Sequence, residues 1–300
     1  MQRFFGYPVY VVVICCLAGI QAVNGQMAGD YQRAVQAWDS ARIRSLTAPN
    51  GWVNLAGLFW LEEGDNRFGS DASNPLVFPK GKIAARAGIL QRRRDKVVLR
   101  TTDTTLKLDG RYQPEAVVYD RGLERAPVMS YGSLRWTVIR RGNLIGVRLR
   151  DLEHPNLPLL THIERYPVDE QWKVRAVLKP GKGSGTIAIR NVLGQVNETP
   201  SPGTLHFELN GKAYTLDALE EDGQLFVIFG DRTNGETTYP SGRFLYAKVP
   251  GADGVTELDF NKAYNPPCAF TPFATCPIPP VQNRLPIAIT AGEQQVHLPE

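Results

Sequence analysis

LRWTVIRRGNLIGVRLRD (134–151) reads as two strands folded back on a turn. Leu134–Arg140 and Leu144–Arg150 alternate apolar and polar side chains around Arg141-Gly142-Asn143, and a period of two is what a half-buried strand requires. The signature recurs. Leu58–Leu61 and Asn66–Gly69 flank a Glu-Gly-Asp turn. Asp109-Gly110, Asn210-Gly211, Asn234-Gly235 and Asp253-Gly254 are dipeptides that tolerate positive φ and so suit tight hairpin turns. Strand-like runs surround them at 172–178, 186–190, 204–209, 225–229, 244–249 and 255–260. Turn signals every eight to twelve residues or so, with no later helix-length period, predict a mostly β chain. Its 300 residues exceed one small barrel, which predicts two packed β-layers or two fused β-barrel or sandwich units. The stretch 155–167 is the best internal seam, within one β-rich region spanning 49–300.

One helix precedes the strands. From Gly29 to about Leu46, Tyr31, Val35, Trp38, Ala41 or Ile43, and Leu46 recur at steps of three and four, with Asp30 as the expected cap of a helix over 26–48. Before it, MQRFFGYPVYVVVICCLAGIQAVNG (1–25) carries Arg3, an apolar run from Tyr10 to Ile20, and small residues at its end. That is the plan of a secretory signal cleaved after Gly25, and it predicts a periplasmic or extracellular protein without a membrane span once trimmed. An uncleaved N-terminal anchor is the alternative, although the run falls short of the roughly 20 residues a span needs.

Trimming would remove Cys15 and Cys16, leaving Cys268 and Cys276. In an oxidising compartment such a pair is most simply a disulfide. Free structural thiols, a metal site or a cysteine nucleophile are the other readings. A metal would need further ligands at matched spacing, and the histidines are scattered at 154, 162, 206 and 297.

Charge is local rather than global. The formal net charge is +4, yet eight Lys or Arg lie between Lys80 and Arg100 against Asp95 alone. Arg92–Lys96 falls between two apolar alternations, where a solvated hairpin tip is expected, and no nucleic-acid partner is implied.

The densest chemistry lies near the C-terminus, in GDRTNGETTYPSGRFL (230–245) and LDFNKAYNPPCAFTPFATCPIPPVQNRLP (258–286). Seven prolines exclude regular helix from the second run, while Phe260, Tyr264, Phe270 and Phe273 make it too apolar for a disordered linker. A stiff loop on a folded body is expected. Strand period puts Asp259 beside Asn261, and a two-residue Asn234-Gly235 turn would set Asp231 opposite Thr238 and Thr233 opposite Glu236. Asp231 and Asp259 are the candidate acid/base residues. Arg243, Asn261, Asn265, Asn283 and Arg284 are the candidate ligand-holding residues, suited to a polar or anionic small molecule or a glycan. The same side chains would also serve as latches for a proline-rich backbone short of partners. Both readings stand at this point, as do an enzyme and a non-catalytic envelope or interaction protein.

Other features are weaker. Arg148 and Arg150 share a strand face, and His154 before Pro155 is expected in an exposed turn. Trp52, Trp60, Trp136 and Trp172 suit a β core better than a sugar platform. Asn197-Glu198-Thr199 matters only in a glycosylating host. No Gly-x-Ser-x-Gly, phosphate loop, dinucleotide fingerprint or His-Glu-x-x-His occurs, and no cofactor or metal is expected.

NGWVNLAGLFWLEEGDNRFGS (50–70), the hairpin 134–151 and the two C-terminal runs resemble an uncharacterised bacterial family, domain of unknown function 1684. The resemblance runs from about Gly51 to Glu293. It implies that the 231–243 and 259–284 segments form one signature, and it implies no activity.

Overall fold

The hairpin 134–151 closes as its alternation predicts, with Arg141 opposite Leu144 and Gly142 at a φ of 56°. A computed structural model of the chain describes residues 11–181 and 185–299, with side chains from residue 29 onward. In it this hairpin is the centre of a five-stranded sheet, ordered Leu55–Trp60, Leu144–Asp151, Leu134–Arg141, Met129–Tyr131 and Lys107–Leu108. A second five-stranded sheet runs Leu76–Val77, Gly64–Gly69, Gly88–Arg93, Lys96–Arg100 and Glu115–Tyr119. The inward residues of both sheets share one core. Phe68, Leu90 and Leu99 from one meet Leu134, Trp136 and Leu149 from the other, and Trp136 packs edge-on against Phe68 and Phe78. Alternation dictates this: every second residue of 134–138 is buried.

No strand or helix forms between Asp151 and Glu170, and beyond it the chain builds a separate core. Six strands are ordered Arg243–Lys248, Gln224–Phe229, Lys212–Glu221, Gly203–Leu209, Lys173–Pro180 and Val255–Asp259. The two outer strands approach each other, and Thr256 Oγ1 donates to the Lys248 carbonyl at 2.7 Å, so the sheet nearly closes into a barrel. Leu205, Leu216, Leu225, Val227, Leu245 and Leu258 fill it. Its hairpins turn where residues with small or polar side chains accept positive φ: Asn210-Gly211 at 52° and 71°, Asp222-Gly223 at 49° and 73°. A two-stranded hairpin, Thr186–Arg190 with Val196–Pro200, stands outside this sheet. Strand therefore dominates, in two β-units behind one N-terminal helix.

Three local expectations change. The helix spans Val11–Thr47, so Asp30 lies within it, paired with Arg33, rather than capping it. Gln26, Met27 and Ala28 are ordinary helix formers and give the turns no reason to stop at Gly29. The first ten residues of the expected signal lie outside the described residues, and among the described residues no helix is long and apolar enough to cross a membrane. Leu55–Trp60 and Gly64–Gly69 belong to different sheets instead of pairing across their turn. Asn234-Gly235 makes no hairpin, because the Asn234 side chain accepts from Asp231 N at 2.7 Å and donates to Thr238 Oγ1 at 2.9 Å. Side-chain bonds to neighbouring backbone compete with a strand ladder, and here they win.

Cys268 and Cys276 form a disulfide with Cα atoms 6.1 Å apart. It clips the proline-rich loop that follows Asp259. Replacing both cysteines with serine should remove about 2–3 kcal/mol of stabilisation and lower Tm by several degrees in a thermal scan. An unchanged Tm would mean that the loop is held by its other contacts alone.

Candidate functional site

The C-terminal signature residues separate into small groups, each tying loop to sheet. Arg243 opens its strand with a fully buried side chain. Its Nη2 donates to Asp231 Oδ2 at 2.8 Å and to the Ile289 carbonyl at 2.9 Å, while Nη1 donates to the carbonyls of Ala291 and Glu293. The other oxygen of Asp231 accepts from Thr233 N, Thr233 Oγ1 and Ile289 N. Asn283 sits on a different edge, accepting from Asp217 N at 2.7 Å and donating to the Asp217 and Ile228 carbonyls. Asn265 donates its backbone N–H to Glu293 Oε2 and its amide to the Gln294 carbonyl. Asp259 and Asn261 are neighbours, and both meet the Tyr31 hydroxyl, at 2.6 and 2.9 Å. Asn261 also brackets Asp169 through its N–H and carbonyl, and Lys262 pairs with Asp259 at 3.0 Å. Arg284 is exposed.

Thus Asp231 meets Arg243 and Asp259 meets Asn261, but the seven candidates do not converge. Asp259 lines a broad hollow of about 870 Å³ between the helix and the outer sheet face, and Asn283 lines a separate small one under Ile187 and Ile189. The physical reason is the backbone from 278 to 295, which forms no strands. Its carbonyls and N–H groups need partners, and the signature side chains supply them.

The side chains that do converge lie elsewhere. A cleft of about 360 Å³ opens between the two β-units and the disulfide loop. Arg148 and Arg141 come from the opening hairpin, Trp52 from the turn after the helix, and Phe226, Tyr246 and Tyr264 from the second unit and its loop. The disulfide loop makes a third wall through Pro267, Thr275 and Cys276. Tyr246 and Tyr264 stack with centroids 6.0 Å apart, and the Arg42 guanidinium lies 4.3 Å over Tyr264. Arg42 is neutralised by Glu293 at 2.8 Å. Thr275 Oγ1 accepts from Arg141 Nε at 3.3 Å.

Arg148 differs from every other cleft cation. Its guanidinium lies 5.1 Å over the Trp52 ring, and its Nε and Nη2 are buried without a hydrogen-bond partner among the described residues. Burial first, then the nearby charges of Arg141 and Arg150, bring its pKa down to about 10. Arg150, two residues on, finds the Gly51 carbonyl and Asn54 Oδ1 instead. Around Arg148 the hydroxyls of Tyr246 and Tyr264 remain neutral. Burial raises both pKa values, and Glu221, which accepts from Tyr246, raises that of Tyr246 further. The cleft therefore presents positive charge, neutral hydroxyls, aromatic walls and the carboxylate of Glu221. Cys276 is oxidised and offers no thiolate, and among the described residues no group of His, Cys, Asp and Glu is arranged to hold a metal. Alternation had put Arg148 and Arg150 on one face, yet which of them goes unpaired depends on Gly51 and Asn54 across the fold. Trp52, expected in the core, is half-buried at the cleft wall, while Trp136 and Trp172 are buried as expected. His154 is half-buried in its turn, with Nδ1 accepting from Asn156 N and burial lowering its pKa.

Residues 160–294 match the family model described as Protein of unknown function (DUF1684). The match covers the second β-unit and both signature segments, and it begins about a hundred residues later than the resemblance read from the sequence. No curated protein matches the chain. Among solved structures, an uncharacterized protein of Haloarcula marismortui determined by solution NMR is 29% identical over 46% of this chain and 78% of its own, with a TM-score of 0.39. An FHA domain described for phosphothreonine-dependent interactions is 14% identical over 31% of this chain and 92% of its own, with a TM-score of 0.22. Neither superposition is close enough to transfer anything.

Arg243→Ala should destabilise the fold by about 3–5 kcal/mol, because it strands a buried Asp231 carboxylate and frees three carbonyls. Arg284→Ala, at an exposed position, should change stability by less than about 0.5 kcal/mol. Urea unfolding of the two variants checks both. Equal, small effects would remove Arg243 from the framework.

Proposed function

We propose that the protein binds a small organic anion in the Arg148–Arg141 cleft. The observation that carries this reading is Arg148, which lines the cavity and keeps two guanidinium nitrogens buried without a hydrogen-bond partner among the described residues. An unpaired buried charge costs several kcal/mol, and a cation–π contact with Trp52 returns only about 0.5–2 kcal/mol of it. A carboxylate or phosphate offers the planar, charged acceptor that a guanidinium fork meets with two bonds. Arg141, held by Thr275 at the neck of the cleft, adds a second cation with no acid in ion-pair contact among the described residues. The cleft walls would exclude water from the pair and strengthen it.

This moves the binding role from the C-terminal signature to the hairpin it faces, and gives the signature residues a supporting one. Asp231, Arg243, Asn265 and Asn283 set the loop against which the anion would lie. The non-catalytic alternative gains from the same contacts, since those residues are already satisfied by protein partners. Export remains part of the proposal: a disulfide is what an oxidising compartment permits, and residues 1–25 have the leader's plan.

Titrating acetate, hexanoate and phenyl phosphate while following tryptophan fluorescence should give saturable quenching that Trp52→Phe removes, because the binding guanidinium lies on that ring. Arg148→Met should weaken binding at least tenfold, the lower bound for losing about 1.5–3 kcal/mol of charged hydrogen bonding. Its Tm should stay level or rise, since the substitution removes an unpaired buried charge. A wild-type protein that binds none of these anions at millimolar concentration would overturn the proposal. Intact mass of the protein recovered outside the cytoplasm, starting at Gln26, is the expected result for export, and a product still starting at Met1 would end that part.

A further inference from the structure

We infer that the anion is a single-chain amphiphile, with one charged head at Arg148 and Arg141 and a neutral aliphatic tail under the hairpin 186–200. The inference rests on the anion-binding reading above and specifies what the ligand must look like.

A second cavity of about 260 Å³ adjoins the first, and the two share Arg141, Glu221, Phe226, Thr275 and Pro277. They are two ends of one groove with Arg141 at the junction. The far end has an aliphatic floor of Ile189, Leu219 and Ile228, continuing from Phe226, and these residues belong to one apolar cluster with Ala274 and Cys276. That floor offers no hydrogen-bonding group. Asn191, which also lines it, is mostly spent: Oδ1 accepts from Leu193 N and Gln195 N, and Nδ2 donates one of its two hydrogens to Gln195 Oε1. Of the other polar side chains, Asn197, Glu220 and Glu221 are exposed along the rim and Thr199 is half-buried there.

Charge decides the polarity of the occupant. Arg148 lines the first cavity and Glu220 the second, while Arg141 and Glu221 both stand at the junction. A polyanion laid along the groove would meet those carboxylates after leaving the arginines. A monoanion with an uncharged tail meets favourable surface throughout. The aliphatic floor and the mostly spent amide favour hydrocarbon over a polyhydroxylated tail, whose hydroxyls would lose water without gaining partners. A carboxylate and a phosphate head share the chemistry, and the choice between them is left to the measurement.

The test is calorimetric titration of the full chain with hexanoate, octanoate and decanoate below their micelle concentrations. Octyl phosphate, glucuronate and decanol serve as comparators. Affinity should rise about fourfold per methylene added, as burial of each CH₂ predicts. Glucuronate should bind at least tenfold more weakly than octanoate, and decanol at least tenfold more weakly than decanoate. The ratio of octyl phosphate to octanoate identifies the preferred head. Leu219→Asn, checked for an intact fold by circular dichroism, should flatten the chain-length series while leaving acetate binding unchanged. Thr199→Trp, at the half-buried rim, should do the same by filling the groove, and keeps the test open if Leu219→Asn fails to fold. A flat series in the wild type, or glucuronate binding as tightly as octanoate, would overturn the tail assignment and leave the anion site standing. A series that survives both variants unchanged would place the tail elsewhere and overturn it too. Failure of every anion to bind would remove both readings together.

Discussion

The buried guanidinium of Arg243 is the contact on which the candidate site depends. It takes the Asp231 carboxylate and the carbonyls of Ile289, Ala291 and Glu293, and so fixes a backbone segment that forms no strand. Burying such a pair is not favourable in itself, since desolvation offsets the attraction unless the remaining donors find acceptors. Here three carbonyls accept those of Nη1 and Nη2, and Nε alone of the three nitrogens has no partner among the described residues. What the pair secures is position. Once 289–293 is fixed, the Glu293 carboxylate accepts from Arg42 and from Asn265 N. Arg42 then lies on Tyr264, and Tyr264 on Tyr246, which is the aromatic wall of the cleft.

The arginines of this protein divide by what they have been given. Arg243, Arg42 and Arg150 are each surrounded by acceptors, and each holds two parts of the chain together. Arg148 is the same residue type, half-buried like Arg42 and Arg150, but its surroundings hold an indole face and two further cations. Folding alone would favour a methionine there. A position that a stability criterion would refill, set in a cavity wall, is where a functional constraint is expected to show.

The fold was more legible than the site, for a physical reason. Strand alternation and turn dipeptides are local, so 134–151, 204–209 and 225–229 declared themselves by period and by Asn210-Gly211. The same dipeptide at 234–235 misled because Asp231 and Thr238 sit close enough in sequence to capture the Asn234 side chain, and the side chain overrode the turn. The N-terminal limit of the helix was missed because no residue near Gly29 stops propagation. Chemistry read from density pointed to Asp231, Arg243 and Asn283. Density of polar residues among prolines, however, reports backbone in need of partners as readily as it reports a ligand. Arg148 was visible only as half of an alternating pair. Distinguishing it from Arg150 required knowing that Gly51 and Asn54 stand beside one and not the other, which is information about residues about a hundred positions away.

The N-terminal helix docks on the second half of the chain, from the Arg165–Asp39 ion pair to contacts close to the C-terminus. Tyr31 reaches Asp259 across 228 residues, and Arg42 reaches Glu293 across 251. Contacts of such separation close late, because the entropy of a long loop must be overcome before they return anything. During synthesis the helix therefore emerges well before Asp259 and Glu293, which the second β-unit and the segment after it place to receive it. One wall of the cleft is thus among the last parts of the molecule to be built: Arg42 covers Tyr264 only after the ends have met, and the cleft is complete only in a chain that has finished folding.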